Sequence, residues 1–317
     1  MSNIKDTILE QYEVRKSNKE KTEFIEYLKE RLATAGYEYG KDINVEEKGK
    51  GLFYSRNIVV GNPETAKILI GAHYDTCAVL PFPNLMTPTN PVLFILYQVA
   101  LVFGLFGAFF LVGLIITLIT GEAGVGYIGG LILLYVFLFH MLFGYRNKHT
   151  ANDNTSGIIT ITKILESLPE ENRSKVCAIY FDNEEKGLLG SEFFFKKHKN
   201  HVKDKLLLNF DCVGDGNDIV FIAKKDARED IAYKNLLEVL SSSAKEYDVE
   251  FLSRNMKPMM FGSDQMHFRK GVGVCALRRS MIGRYVGRIH TPWDTRCREE
   301  NIKYLSCVTE QFIKTSL

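Results

Sequence analysis

The chain has 317 residues, enough to bury a large core, and its 40 Lys+Arg against 38 Asp+Glu leave a formal net charge of +2. That balance excludes the broad basic field with which proteins hold nucleic acid, so no nucleic-acid partner is expected. The six cysteines are scattered without a CxxC pair, a pattern of free thiols in a reducing compartment rather than of a disulfide framework.

In chain order, the first 32 residues are highly charged and hold no apolar run of signal-peptide length. "EEKGKG" at 46–51 reads as a solvated turn. "AKILIGAHYD" at 66–75 is a β-rich run ending in polar residues. Residues 91–145 then contain no Lys or Arg, with Glu122 the only carboxylate. Helices over 92–120 and 124–145 would be roughly 43 Å and 33 Å long, against a hydrocarbon core of about 30 Å. Both are apolar all round, whereas a buried hairpin of a soluble protein keeps a polar stripe. The expectation is therefore a two-helix transmembrane hairpin in the lipid bilayer, with "GEAGVG" as its polar turn. The pairs Gly104/Ala108 and Gly126/Gly130 have the small-residue spacing for close helix packing. Gln98 and His140 are the strongly polar side chains within the spans, and neither is assigned a role.

Beyond the hairpin, "SGIITITKILESL" has helical spacing, "KVCAIYFDNEE" is a strand that stops in acid, "GLLGSEFFFKKH" is helical and "DKLLLNFDCVGDG" is a further strand. This rhythm predicts an α/β three-layer sandwich with a mostly parallel mixed sheet, interrupted by the hairpin. The expected organisation is 1–90 as the first part of one globular domain, 91–145 as the insertion and 146–317 as the remainder of that domain. Two spans return the chain to its starting side, and Arg146 and Lys148 after the second span place the globular part in the cytoplasm by the positive-inside rule.

In such sheets functional groups gather at the carboxyl ends of the strands. His73 and Asp75, Asp153, Glu184 and Glu185, Asp211, and His290 all stand at or near such ends. Singly each has a bland reading: a local hydrogen-bond pair for His73 and Asp75, a turn and helix cap for "ANDNTSG", an acidic first helical turn for "EEKG". Together they point to a cation site of histidine and carboxylate suited to zinc.

In order, "GAHYDT", "ANDNTSG", "FDNEEKGLLGS", "NFDCVGDG", "FGSDQMHF" and "IHTPWDT" resemble the motifs of the co-catalytic zinc aminopeptidases, of the clan that also holds glutamate carboxypeptidases and glutaminyl cyclases. The resemblance covers residues 20–90 and 146–317. It implies two Zn2+ ions, with His73 and Asp211 as ligands of one, Glu185 and His290 of the other, and Asp153 bridging them. It also implies Glu184 as general base and Asp75 as the carboxylate that orients His73, acting on peptide substrates with a metal-activated water. Two departures stand out: "SDQMH" replaces the family's frequent "SDH", so His267 carries no assigned role, and the family lacks a hairpin between its first histidine and its bridging aspartate.

Direction of cleavage is the open point. An aminopeptidase binds the free amine of its substrate through the metals and acidic groups; a carboxypeptidase needs cations such as Arg278, Arg279, Arg284 and Arg288 in "LRRSMIGRYVGRIH". A glutaminyl cyclase would use one zinc, and an inactive membrane receptor or scaffold would have lost ligands that are all present here. Aminopeptidase is the reading carried forward. About seven residues separate the second span from Asp153, a reach of roughly 25 Å, so the zinc site is expected close to the membrane surface.

Overall fold

The computed structural model describes residues 3–82, 84–247, 250–252, 259–281 and 283–316. Helices α1 (Ile4–Gln11) and α2 (Asn18–Thr34) precede strands β1 (Ile43–Lys48), β2 (Ser55–Val60) and β3 (Ile68–His73). Two long helices follow, α3 (Pro91–Thr120) and α4 (Ala123–Phe143). The remainder runs α5 (Gly157–Ser167), α6 (Glu170–Arg173), β4 (Val176–Phe181), α7 (Leu189–Val202), β5 (Leu206–Phe210), β6 (Asp218–Ala223), α8 (Lys225–Glu229), α9 (Ile231–Ser243), β7 (Glu250–Leu252), β8 (Lys270–Ser280), β9 (Gly283–Tyr285) and α10 (Glu299–Ser316).

The strands form one mixed sheet in the order β1-β2-β4-β3-β5-β8-β6-β7, with β9 paired to β8. Its centre, β4-β3-β5-β8, is parallel, whereas β1, β2 and β6 join antiparallel. Strands from before and after the long helices therefore share one sheet. Alternation along the central strands divides the core between two faces, because successive side chains of a strand point oppositely. Ile68, Ile70, Val176, Ala178, Tyr180, Leu206 and Leu208 pack with Phe24, Ile161 and Phe312 of the helices on one side. Leu69, Cys177, Ile179, Phe181 and Leu207 meet Phe194 and Val202 of α7 on the other. Each fully buried aliphatic side chain contributes about 1.5–3 kcal/mol, and β3, β4 and β5 are buried along their whole length.

One expectation is corrected: Glu46, Glu47 and Lys48 are not a turn but the end of β1, paired with Asn57, Arg56 and Ser55. Charged residues suit this edge strand, whose outer rim must stay unattractive to other chains. The turn begins at Gly49.

Helix α3 starts at Pro91 with the Asn90 side chain accepting a hydrogen bond from the Leu93 amide, and it stops at the left-handed Gly121. Both α3 and α4 are long and apolar enough to cross a membrane, with mean hydropathy of 2.8 and 2.0 over their most apolar windows, of which only 6% is buried. They pack on each other through Gly113, Gly126 and Gly130. Gly104 has nothing within 4 Å of a would-be Cβ, so it is not the close-packing position its spacing suggested; Gly113, two and a half turns on, faces α4 instead. The turn between the helices is also shorter than "GEAGVG", since α4 begins at Ala123.

The hairpin is rooted in the sheet end of the protein. The Val79 amide donates to the Tyr145 carbonyl at 2.8 Å, and the Asn147 amide to the Cys77 carbonyl at 3.2 Å, so the chain entering and the chain leaving are paired.

Candidate metal centre

Because β4, β3 and β5 are parallel neighbours, their carboxyl ends open on the same side. This places Glu184 and Glu185 beyond β4, His73 as the last residue of β3, and Asp211 just past β5. Asp153 reaches them from the turn before α5, and His290 from the loop that follows β9.

His73 Nε2 lies 3.2 Å from Asp153 Oδ1 and 3.6 Å from Asp211 Oδ1. His290 Nε2 lies 3.0 Å from Asp153 Oδ2 and 3.2 Å from Glu185 Oε2. Each oxygen of the Asp153 carboxylate thus faces a different histidine. Asp211 Oδ1 and Glu185 Oε1 are buried without a hydrogen-bond partner among the described residues. Orphaned carboxylate oxygens beside imidazole nitrogens fit a divalent cation, which satisfies them as a hydrogen bond would. Donor atoms of His73, Asp153 and Asp211 lie within 4.8 Å of one another, as do those of His73, Glu184 and Glu185.

The supports are denser than the ligands. Asp75 Oδ1 lies 3.5 Å from His73 Nδ1, and the same carboxylate accepts the Glu184 amide at 3.0 Å and the Glu185 amide at 3.3 Å. The Asp75 side chain therefore pins the two glutamates and, together with the Asp75 main-chain carbonyl 3.2 Å from His73 Nδ1, orients the histidine. "ANDNTSG" is a clamp rather than a simple cap. Asn152 Oδ1 accepts the Gly214 and Asp215 amides, Asn154 Nδ2 donates to the Phe210 carbonyl, and Ser156 Oγ accepts the Val213 amide. These bonds tie the turn to the segment that carries Asp211. Gly157 must be glycine here, since a Cβ would sit 2.2 Å from the Phe210 carbonyl oxygen. The "EEKG" segment likewise precedes α7 rather than forming its first turn.

Backbone strain concentrates in the same place. Asn183, Cys212 and His290 have positive φ, at 54°, 58° and 60°. Such conformations cost about 1–2 kcal/mol for residues other than glycine and persist where surroundings over-determine them, commonly at functional sites.

Charge follows the geometry. Burial alone would lower His73, but Asp153, Asp211 and Asp75 outweigh it and raise the imidazole well above its ordinary value. Asp153 is held well below the usual carboxylate range, because His290 and His73 overcome its burial. Glu184 moves the other way: burial, then the charges of Glu185, Asp264 and Asp211, raise it well above an ordinary glutamate despite the pull of His73.

All seven residues singled out by sequence thus meet at one sheet edge. Several neighbours had been given no role by the sequence. Asp294, buried in "IHTPWDT", accepts the Asn152 and Asp153 amides at 2.8 and 3.0 Å. Arg15, fully buried, donates to the Tyr74 carbonyl at 2.6 Å and to Thr155 Oγ1 at 3.0 Å, tying the strand end of His73 to the turn of Asp153. Lys21 pairs in the interior with Asp182, two residues before Glu184. Cys77 places its thiol within 4.8 Å of donor atoms of Glu185 and His290. His267 has Glu192, Lys196 and Lys224 as its charged neighbours; it is Asp264 of "SDQMH" that senses His73, Asp75 and Asp211. Arg279 and Arg284 engage Asp218, while Arg278 and Arg288 lie 3.9 and 3.3 Å from Asp215.

No curated protein sequence matches the chain. Among solved structures, a glutaminyl cyclase from Tannerella forsythia is similar at a TM-score of 0.59 and 15% identity, covering 99% of this chain and 96% of that one. A Zn-dependent exopeptidase from Parabacteroides distasonis gives a TM-score of 0.56 at 15% identity, over 98% and 95% of the two chains. The LapA aminopeptidase of Legionella pneumophila gives 0.53 at 16% identity, over 98% and 69%. At these identities the likeness concerns the fold. The sequence profile of Peptidase family M28 matches residues 139–306, more than half of the chain and all of the centre except His73 and Asp75. With the sheet order, the clamped aspartate and the paired glutamates already in place, the chain belongs to Peptidase family M28.

Proposed function

We propose that the protein is a membrane-anchored, zinc-dependent exopeptidase that removes N-terminal residues from peptides. The observation that carries this reading is Asp153, whose two carboxylate oxygens face His73 and His290 separately, each histidine having a carboxylate of its own. That donor set suits two zinc ions, one held by His73 and Asp211, the other by Glu185 and His290, with Asp153 shared. When bound, the ions supply Lewis-acid polarisation of the scissile carbonyl and lower the pKa of the attacking water.

Glu184 is the general base. Its surroundings raise the proton affinity of its carboxylate, which suits a group that, when ionised, takes a proton from water and then returns it to the leaving amine. Asp75, through the Glu184 and Glu185 amides, keeps the two glutamates aimed differently. Cleavage from the amino end is supported by the charge around the site: Asp153, Glu184, Glu185, Asp211 and Asp264 crowd it, whereas the nearby arginines are engaged by Asp215 and Asp218. The membrane reading rests on the apolar, scarcely buried surface of α3 and α4, which needs an apolar solvent. Arg146 and Lys148 at the hairpin's exit support a cytoplasmic active domain.

Detergent-purified protein tests the reading. It should bind two divalent ions per chain and hydrolyse peptides with a free amino terminus but not N-blocked ones. Glu184→Gln should lower kcat by about 10²–10⁴ while keeping the metal. A single metal with cyclisation of N-terminal glutamine would make it a glutaminyl cyclase instead, and near-normal kcat in Glu184→Gln would remove that residue from the role of base.

A further inference from the structure

A cavity of about 450 Å³ lies where α4 leaves its helical path and meets the globular part. Lys16, Glu20, Leu52, Tyr145, Arg146 and Lys186 line it. From residue charge this wall sets three cations against one carboxylate. That carboxylate is engaged: Glu20 pairs with Arg146 and accepts the Ser17 and Lys16 amides at 2.8 and 3.1 Å. The two lysines bind main chain only among the described residues, Lys16 Nζ donating to the Leu142 carbonyl at 2.9 Å and Lys186 Nζ to the Leu52 carbonyl at 3.0 Å. Each keeps further N–H groups free for an anion, because an ammonium carries three donors.

Depth identifies the occupant. Leu142 to Arg146 is the stretch over which the chain passes from α4 to the first cation after it, and so from hydrocarbon to headgroup level, if α4 spans as proposed above. Tyr145, 81% exposed, has the amphipathic ring that settles at that level. Gly51 and Leu52, in the turn that follows Lys48 and Lys50, also line it, and Leu52 and its chain neighbour Phe53 are 58% and 60% exposed. A cationic pocket flanked by exposed apolar side chains, at the root of a membrane hairpin, matches a phosphodiester with acyl chains attached. We propose that this cavity is a binding site for the phosphate headgroup of an anionic phospholipid, held by Lys16 and Lys186. The proposal rests on the membrane reading of α3 and α4 but not on the peptidase activity.

The test uses the full chain, freed of lipid in mild detergent and then offered equimolar phosphatidylglycerol and phosphatidylcholine, with retained lipid counted by native mass spectrometry. The wild type should retain phosphatidylglycerol preferentially, about fivefold for each lysine. K16Q/K186Q should bring the two lipids to parity, whereas K16R/K186R, which keeps the charge and reports on folding, should keep the preference. Excess inorganic phosphate should leave the lipid in place; displacement by phosphate alone would make the occupant a free anion and overturn the proposal. So would unchanged lipid preference in K16Q/K186Q accompanied by a raised KM only for peptides with a free C-terminal carboxylate, which would assign the pocket to substrate. Flotation with phosphatidylcholine vesicles separates the two layers of the argument. A wild type that fails to float defeats the membrane reading, and one that floats yet does not distinguish the lipids defeats the headgroup site alone.

Discussion

Asp264 is fully enclosed, and apart from a contact with the Ser191 hydroxyl its carboxylate oxygens have no hydrogen-bond partner among the described residues. Burial first, and then the charges of Asp75 and Asp211, push it from 3.8 up to about 7, against the pull of His73. The folded protein therefore holds a proton between about pH 4 and 7 that the unfolded chain releases, so this group's contribution to stability is full below pH 4 and is lost as the pH rises through 7. The rise corresponds to at most about 4 kcal/mol. Asp264→Asn in chelator-treated protein should flatten the fall of stability across that range and raise Tm at pH 8; an unchanged pH profile would show that the carboxyl is satisfied in solution. The ligands were legible because each stands in a short motif at a strand end. Arg15 and Lys21 were not, since their partners lie 140 and 161 residues away and a satisfied buried charge leaves no local pattern; Asp294 stands inside "IHTPWDT", but its partners lie 141 and 142 residues away, so the motif showed the residue and not its role.

At the scale of elements, apolar runs of full burial announced β3, β4 and β5, the three strands that build the site. The edge strands β1 and β7, and β9 beside β8, escaped notice because they are short or mixed in polarity, and β1 was hidden in a charged stretch that reads equally well as a turn. Small-residue spacing correctly located Gly126 and Gly130 at the helix interface but misplaced their partner, since spacing within α3 says nothing about which face turns toward α4. The contact itself is tight: a Cβ on Gly126 would lie 1.9 Å from Thr117 Oγ1 and 2.4 Å from the Gly113 carbonyl oxygen. Gly126→Leu should force the helices apart and destabilise the hairpin by about 1–3 kcal/mol, read as faster amide exchange along α3. Gly104→Leu, with open space around it, should leave exchange unchanged.

For the whole molecule, the hairpin root and the metal centre are one bonded unit. The Leu80 amide donates to the carbonyl of His290 at 2.8 Å, and Asn147 Nδ2 donates to the carbonyl of Thr291 at 3.0 Å. An anchor at either terminus would hold the protein to a bilayer without this constraint, so we expect the hairpin to present the site to peptides that lie on or leave the membrane. Replacing residues 91–143 by a short polar loop should spare kcat/KM for a soluble dipeptide and lower it for an apolar, bilayer-partitioning peptide. An equal effect on both would reduce the hairpin to a tether. The same root also imposes an order of manufacture. His73 and Asp75 leave the ribosome before the two helices, whereas Asp153, Glu184, Glu185, Asp211 and His290 leave after them. The proposed metal centre can thus close only with residues synthesised after the two helices, and so can the root itself, whose bonds join Cys77, Val79 and Leu80 to Tyr145, Asn147 and His290.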